Sequence, residues 1–165
     1  MASGAGERVT PPATSRVARV CALLNAADAH YLVVGGSAAQ LWGSSRTTRD
    51  VDILIEPTAD NAARVLSALS SLPFGVASEL VPEELLGRGV TMIGDTPNVD
   101  VLTRAWNVSW AQAARQVAVF ELDGIPVPTI SLALLIESKR TGRTQDLADI
   151  EVLEAIRAKR GEGEG

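Results

Sequence analysis

The sequence predicts an α/β domain in which a mixed β-sheet is packed with helices and followed by C-terminal helices. Three observations lead there. Short β-rich runs alternate with stretches of helical spacing. The chain has 165 residues, which suits one core and not two. Apolar residues make up 46% and charged residues 21%, which supplies a core and excludes global disorder.

Residues 1–12 are small and polar, end in Pro11-Pro12 and read as a disordered leader. A single domain is expected over 13–160, with a disordered tail over 161–165. Val17, Val20, Leu23 and Leu24 give residues 15–29 a helical stripe. Tyr31-Leu32-Val33-Val34 reads as a buried strand stopped by Gly35-Gly36. Residues 37–42 make one or two helical turns, and the polar run 43–48 is a loop. Val51-Asp52-Ile53-Leu54-Ile55 is a second strand, closed by Pro57. Residues 60–72 are helical, with Asp60 near the cap. Residues 74–89 carry no assigned pattern, while 90–93 and 99–102 read as strands. A short helix is expected over 106–114. Asp123-Gly124 between the apolar runs 117–122 and 125–128 signals a hairpin. Ser131 caps a helix over 131–138, and Leu147, Ile150, Leu153 and Ile156 place the last helix over 145–159.

Composition narrows the function. Fifteen basic against twenty acidic side chains leave a net charge of -5. Contact with nucleic acid must then be local or aided by metal ions. The lone Cys21 permits no internal disulfide and no cysteine-based zinc site, and the lone His30 no two-His site. No run approaches the ~20 apolar residues of a membrane span. Residues 1–10 lack the apolar stretch of a signal peptide, so no membrane partner and a cytoplasmic location are expected.

Asp50 and Asp52 stand two apart at a strand, so their carboxylates project to one side. Like charges held that close repel, and a divalent cation relieves them. The alternative is a solvated edge strand. Asp100 lies between Val99 and Val101 in another apolar strand. If the two strands are neighbours, three carboxylates converge as in metal-assisted phosphoryl or nucleotidyl transfer, where one can also accept a proton. Otherwise Asp100 sits on an exposed strand face. Gly35-Gly36-Ser37 follows a strand and opens a helix, where glycines admit a phosphate and helix-start amides point at it. A tight turn is the plainer account. Lys139, Arg140 and Arg143 put three cations within five positions, matching a triphosphate or a helix C-terminus. Asp146 and Asp149 share a helical face and can pair with Arg143 or Lys139.

Together these residues resemble the nucleotidyltransferase superfamily typified by DNA polymerase β. Its signature is a hydrophobic residue, Gly, Gly or Ser, a spacer of about a dozen residues, then Asp-hydrophobic-Asp. Here thirteen residues separate Gly36 from Asp50. Arg46-Thr47-Thr48-Arg49 before Asp50 is similar to the Thr-Arg-Asp-x-Asp run of small-substrate and toxin members. Residues 135–150 are similar to the Lys and Arg-x-x-Asp-x-x-Asp region of the AbiEii-type toxin branch. The resemblance spans about residues 31–156.

It implies a nucleotidyltransferase-like fold and transfer of a nucleoside monophosphate from a nucleoside triphosphate such as ATP to a hydroxyl. Asp50, Asp52 and Asp100 would be the catalytic and metal-binding acids, holding Mg²⁺ or Mn²⁺. Gly35, Gly36, Ser37, Arg49, Lys139 and Asp146 would bind the nucleotide. The acceptor is RNA, a protein or a small hydroxylated molecule. A toxin–antitoxin pairing, with an antitoxin as protein partner, follows from the toxin-like region. The rival reading is a nucleotide-binding or complex-forming module without turnover. His30 reads as a surface residue and Cys21 and Trp42 as packed. Trp106 and Trp110, four apart, are expected to touch one another or the sheet, with stacking on a nucleobase as the alternative.

Overall fold

The computed structural model describes residues 13–141 and 143–164. The expected leader lies outside the described residues, apart from which the element order follows the alternation in the sequence. Helix α1 (Ala13–Ala26) ends just before Asp28, whose φ of 55° is left-handed. Strand β1 (Tyr31–Val33) leads into α2 (Gly35–Trp42), which starts two residues earlier than expected, on the glycines themselves. Strand β2 (Val51–Ile55) precedes α3 (Ala59–Leu69), capped by Thr58 rather than by Asp60: the Thr58 hydroxyl accepts from the Asn61 amide.

The unassigned stretch forms a 3-10 turn (Val76–Glu79) and α4 (Pro82–Gly87). Pro82 suits a first helical turn, where its missing N–H costs nothing. Strands β3 (Val90–Ile93) and β4 (Val99–Leu102) stand where expected. The helix expected from Trp106 does not begin there. Residues 104–109 form a small hairpin of β5 (Arg104–Ala105) and β6 (Val108–Ser109), and α5 is only Trp110–Ala113. Ser109 sets that start, because its hydroxyl accepts from the Gln112 amide while Gln112 reaches back to the Ser109 N–H. Strands β7 (Val117–Leu122) and β8 (Ile125–Ile130) form the hairpin signalled by Asp123-Gly124. Helix α6 (Leu132–Ser138) is capped by Ser131, and α7 (Thr144–Glu164) continues through residues expected to be tail.

Six strands form one mixed sheet in the order β3-β4-β2-β1-β8-β7. Strands β2 and β4 run parallel, as do β1 and β8; the other neighbours are antiparallel. A parallel neighbour needs a long crossover, and α3, α4 and β3 supply it between β2 and β4. Helix α1 packs on α3 and β8, whereas α2 packs on β2, α6 and α7. Val51, Ile53 and Ile55 are buried on one face of β2, so strand alternation turns Asp52 to the other. Among the described residues, no helix is long and apolar enough to cross a membrane.

Candidate active site

Parallel pairing of β2 with β4 puts Asp52 directly beside Asp100. Both are half-buried. Burial first, then the Asp100 charge, push the Asp52 carboxyl up to about 7 against the opposing hydrogen bond from the Ser37 backbone. Burial and then the charge of Asp50 also raise Asp100 above the ordinary carboxylate range. Asp100 Oδ1 is buried without a hydrogen-bond partner. Two adjacent acids that resist ionising, one with an orphaned oxygen, suit a hard divalent cation, which takes one or two carboxylates together with phosphate oxygens.

Asp50 stands just before β2. Its carboxylate accepts from Asn98 Nδ2 at 3.4 Å, and its charge reaches both other acids. The structure thus brings Asp52 and Asp100 together with Asp50 at their edge. Among the described residues, no three His, Cys, Asp or Glu side chains close into a metal-holding group as they stand.

The glycines explain how α2 approaches this pair. Gly35 has φ +60°, and a Cβ there would sit 2.8 Å from Asp52 Oδ2. A side chain would therefore meet both a backbone penalty and the carboxylate. Gly36 lies against Thr48, where a Cβ would come within 3.3 Å of the Thr48 Cβ. Ser37 is 1% exposed. Its hydroxyl donates to the Asp50 carbonyl at 3.1 Å and accepts from the Asp52 N–H at 3.2 Å. That hydroxyl joins α2 to β2, and α2 begins beside the acid pair.

A cleft of about 200 Å³ adjoins Asp52, lined also by Gly36, Arg46, Thr48, Lys139 and Asp149. Lys139 is buried at the end of α6 and donates to Asp149 Oδ2 at 3.1 Å, with Asp146 at 4.0 Å. Arg46 meets the same Asp149 oxygen at 2.5 Å. Arg46 and Asp149 are the residues the sequence reading left out of the site. The Arg46-Thr47-Thr48-Arg49 run contained the signal, but nothing local says which of its two arginines, both exposed, borders the cleft. Arg49 is exposed and lines a different surface hollow with Arg16 and Pro97.

Asp146 is buried and accepts from the Thr141 hydroxyl and, at 2.9 Å, from Arg143 Nε. Burial would raise its pKa, but Thr141, Arg143 and Lys139 together hold it below the ordinary range. It anchors the turn into α7 beside Lys139. His30 is an exposed partner of Glu56, Cys21 is fully buried, and the Trp42 indole donates to the Ile130 carbonyl.

No protein-family model and no curated protein matches the chain. Solved structures share its fold. An antigenic nucleotidyltransferase-like protein from Paracoccidioides brasiliensis aligns with a TM-score of 0.56 at 19% identity, covering 86% of this chain and 74% of the other. A nucleotidyltransferase-type protein of Thermotoga maritima aligns with a TM-score of 0.51 at 15% identity, covering 87% and 89% of the two chains. The chain has the fold of these nucleotidyltransferase-like proteins.

Proposed function

We propose that the protein is a metal-dependent nucleotidyltransferase that moves a nucleoside monophosphate from a nucleoside triphosphate to a hydroxyl acceptor. The observation that carries this reading is the Asp52–Asp100 pair, in register on parallel strands beside the glycine start of α2 and a cleft holding a buried Lys139.

Asp52 and Asp100, with Asp50 beside them, are the residues that would hold Mg²⁺ or Mn²⁺. When bound, the metal supplies charge neutralisation at the phosphate oxygens. The chain's own residues do the rest. The start of α2 at Gly35 and Gly36 allows the phosphates close to backbone amides. Lys139 and Arg46 offset the charge of the departing pyrophosphate. Asp100 takes the proton of the acceptor hydroxyl, whose oxygen bonds to the α-phosphorus as the bond to the β-phosphate bridging oxygen breaks.

The overall charge of -5 favours a protein or small hydroxylated molecule over RNA as acceptor. The toxin-type assignment and an antitoxin partner rest on the similarity of residues 135–150, with that of the Arg46–Arg49 run shared by small-substrate members. A second reading, nucleotide binding without turnover, is favoured by the absence of a closed three-acid group among the described residues. One experiment separates the two. Labelled nucleoside triphosphates and Mg²⁺ are added with cell extract, and pyrophosphate and labelled product are followed. The enzyme reading expects release by the wild type and a loss of a thousandfold or more in Asp52→Asn, on the order of 4 kcal/mol of transition-state stabilisation. Full release by Asp52→Asn sinks it, and wild-type binding without release selects the module.

A further inference from the structure

Trp106 occupies a position that a tryptophan fits poorly. It lies in the turn between β5 and β6 with φ 55°, in the left-handed region. Gly, Asn or Asp adopts that backbone at little cost, whereas a bulky residue there is strained. Core packing does not explain it, because the residue is 44% exposed. Among the described residues, no cation stacks on its ring and no aromatic ring packs against it. The turn is nonetheless held in place, since Arg104 Nε donates to the Trp106 carbonyl at 3.0 Å. Strain that the surroundings hold in place is a mark of functional positions.

The indole lines a hollow of about 380 Å³ together with Arg46, Ser138, Lys139, Arg143 and Asp146. That volume lies within the roughly 300–1,000 Å³ of small-ligand pockets. Arg46 and Lys139 also line the cleft at Asp52, so the two spaces meet at this pair of cations. A ligand whose phosphates sit against Lys139 and Arg46 has its remaining part beside a flat, exposed indole.

We propose that Trp106 is the stacking platform for the base of the bound nucleoside triphosphate, a role that rests on the nucleotidyltransferase reading of the neighbouring site. Stacking uses the π-face that every base has, so this contact provides affinity with little choice among bases. Calorimetric titration of ATP and of inorganic tripolyphosphate, both with Mg²⁺, tests it on the wild type, Trp106→Ala and Trp106→Asn. Asn tolerates the left-handed turn, so the hairpin keeps its shape in that variant. The expected result is a loss of ATP affinity of roughly 5- to 150-fold in both variants, with tripolyphosphate affinity unchanged. Variants that bind ATP like the wild type overturn the stacking role and leave the nucleotide site standing. Equal loss of both ligands in both variants makes Trp106 a structural prop and also overturns it. A wild type that binds neither ligand removes the nucleotide site and the stacking role together.

Discussion

The Asp52 carboxyl links stability to pH. Its pKa is pushed up to about 7 by burial and by Asp100, against about 3.9 for a free aspartate. Between those values the folded protein holds a proton that the unfolded chain has lost. Stability from this group therefore falls as pH rises from about 4 to about 7, and stays low above. Asp52→Asn removes that slope. In denaturant titrations the variant should exceed the wild type above pH 7 by on the order of 2–4 kcal/mol and match it below pH 4. Parallel pH profiles for the two proteins would mean that Asp52 ionises normally. This residue trades fold stability for a site with unmet negative charge, a common pattern where ligands bind.

Single polar side chains set how the elements begin and join. Ser109 decides that α5 starts after a hairpin, and Ser37 ties α2 to β2. Asn61, 3% exposed on α3, does the same for the outer end of the sheet. It accepts from the His30 N–H at 2.7 Å and donates to the carbonyls of His30 and Glu56 at 2.9 and 3.0 Å. Asn61→Ala leaves the His30 N–H before β1 without a partner and takes one of two donors from each of the His30 and Glu56 carbonyls. We expect a loss of about 2–3 kcal/mol in denaturant titrations, with Mg²⁺-dependent triphosphate binding unchanged at saturating folded protein. A loss below 0.5 kcal/mol, on the order of an ordinary surface change, would show that water replaces the bonds. Several of these starts are written locally. Thr58 three residues before Asn61, and Ser109 three before Gln112, are capping spacings. The helix expected over residues 106–114 is shorter than that, because the β5–β6 hairpin takes residues 104–109 and leaves one helical turn from Trp110.

Across the whole molecule, Asp149 joins parts far apart in sequence. From α7 it meets Arg46 of the loop before β2 and Lys139 at the end of α6. Removing it leaves Lys139, which is 8% exposed, with only the distant Asp146 as anion. Asp149→Asn should cost roughly 1–3 kcal/mol, because a nearly buried cation loses its partner. Triphosphate with Mg²⁺ should raise the melting temperature of this variant more than that of the wild type, since phosphate oxygens replace the missing carboxylate. Equal shifts in a fluorescence melt would place the phosphates elsewhere than the Arg46–Lys139 pair.

The six strands of the main sheet, most helices, the β7–β8 hairpin and the candidate acids were legible in the sequence by itself, because periodicity, capping spacings and turn residues act over a few neighbouring positions. Only the tertiary structure decided that Asp52 pairs with Asp100 while Asp50 stays at the edge, that Arg46 rather than Arg49 lines the cleft, and that Trp106 borders the same cations. Those choices depend on which strand lies beside which and in what register. Long-range packing of the whole chain selects that pairing, and no local run of residues encodes it.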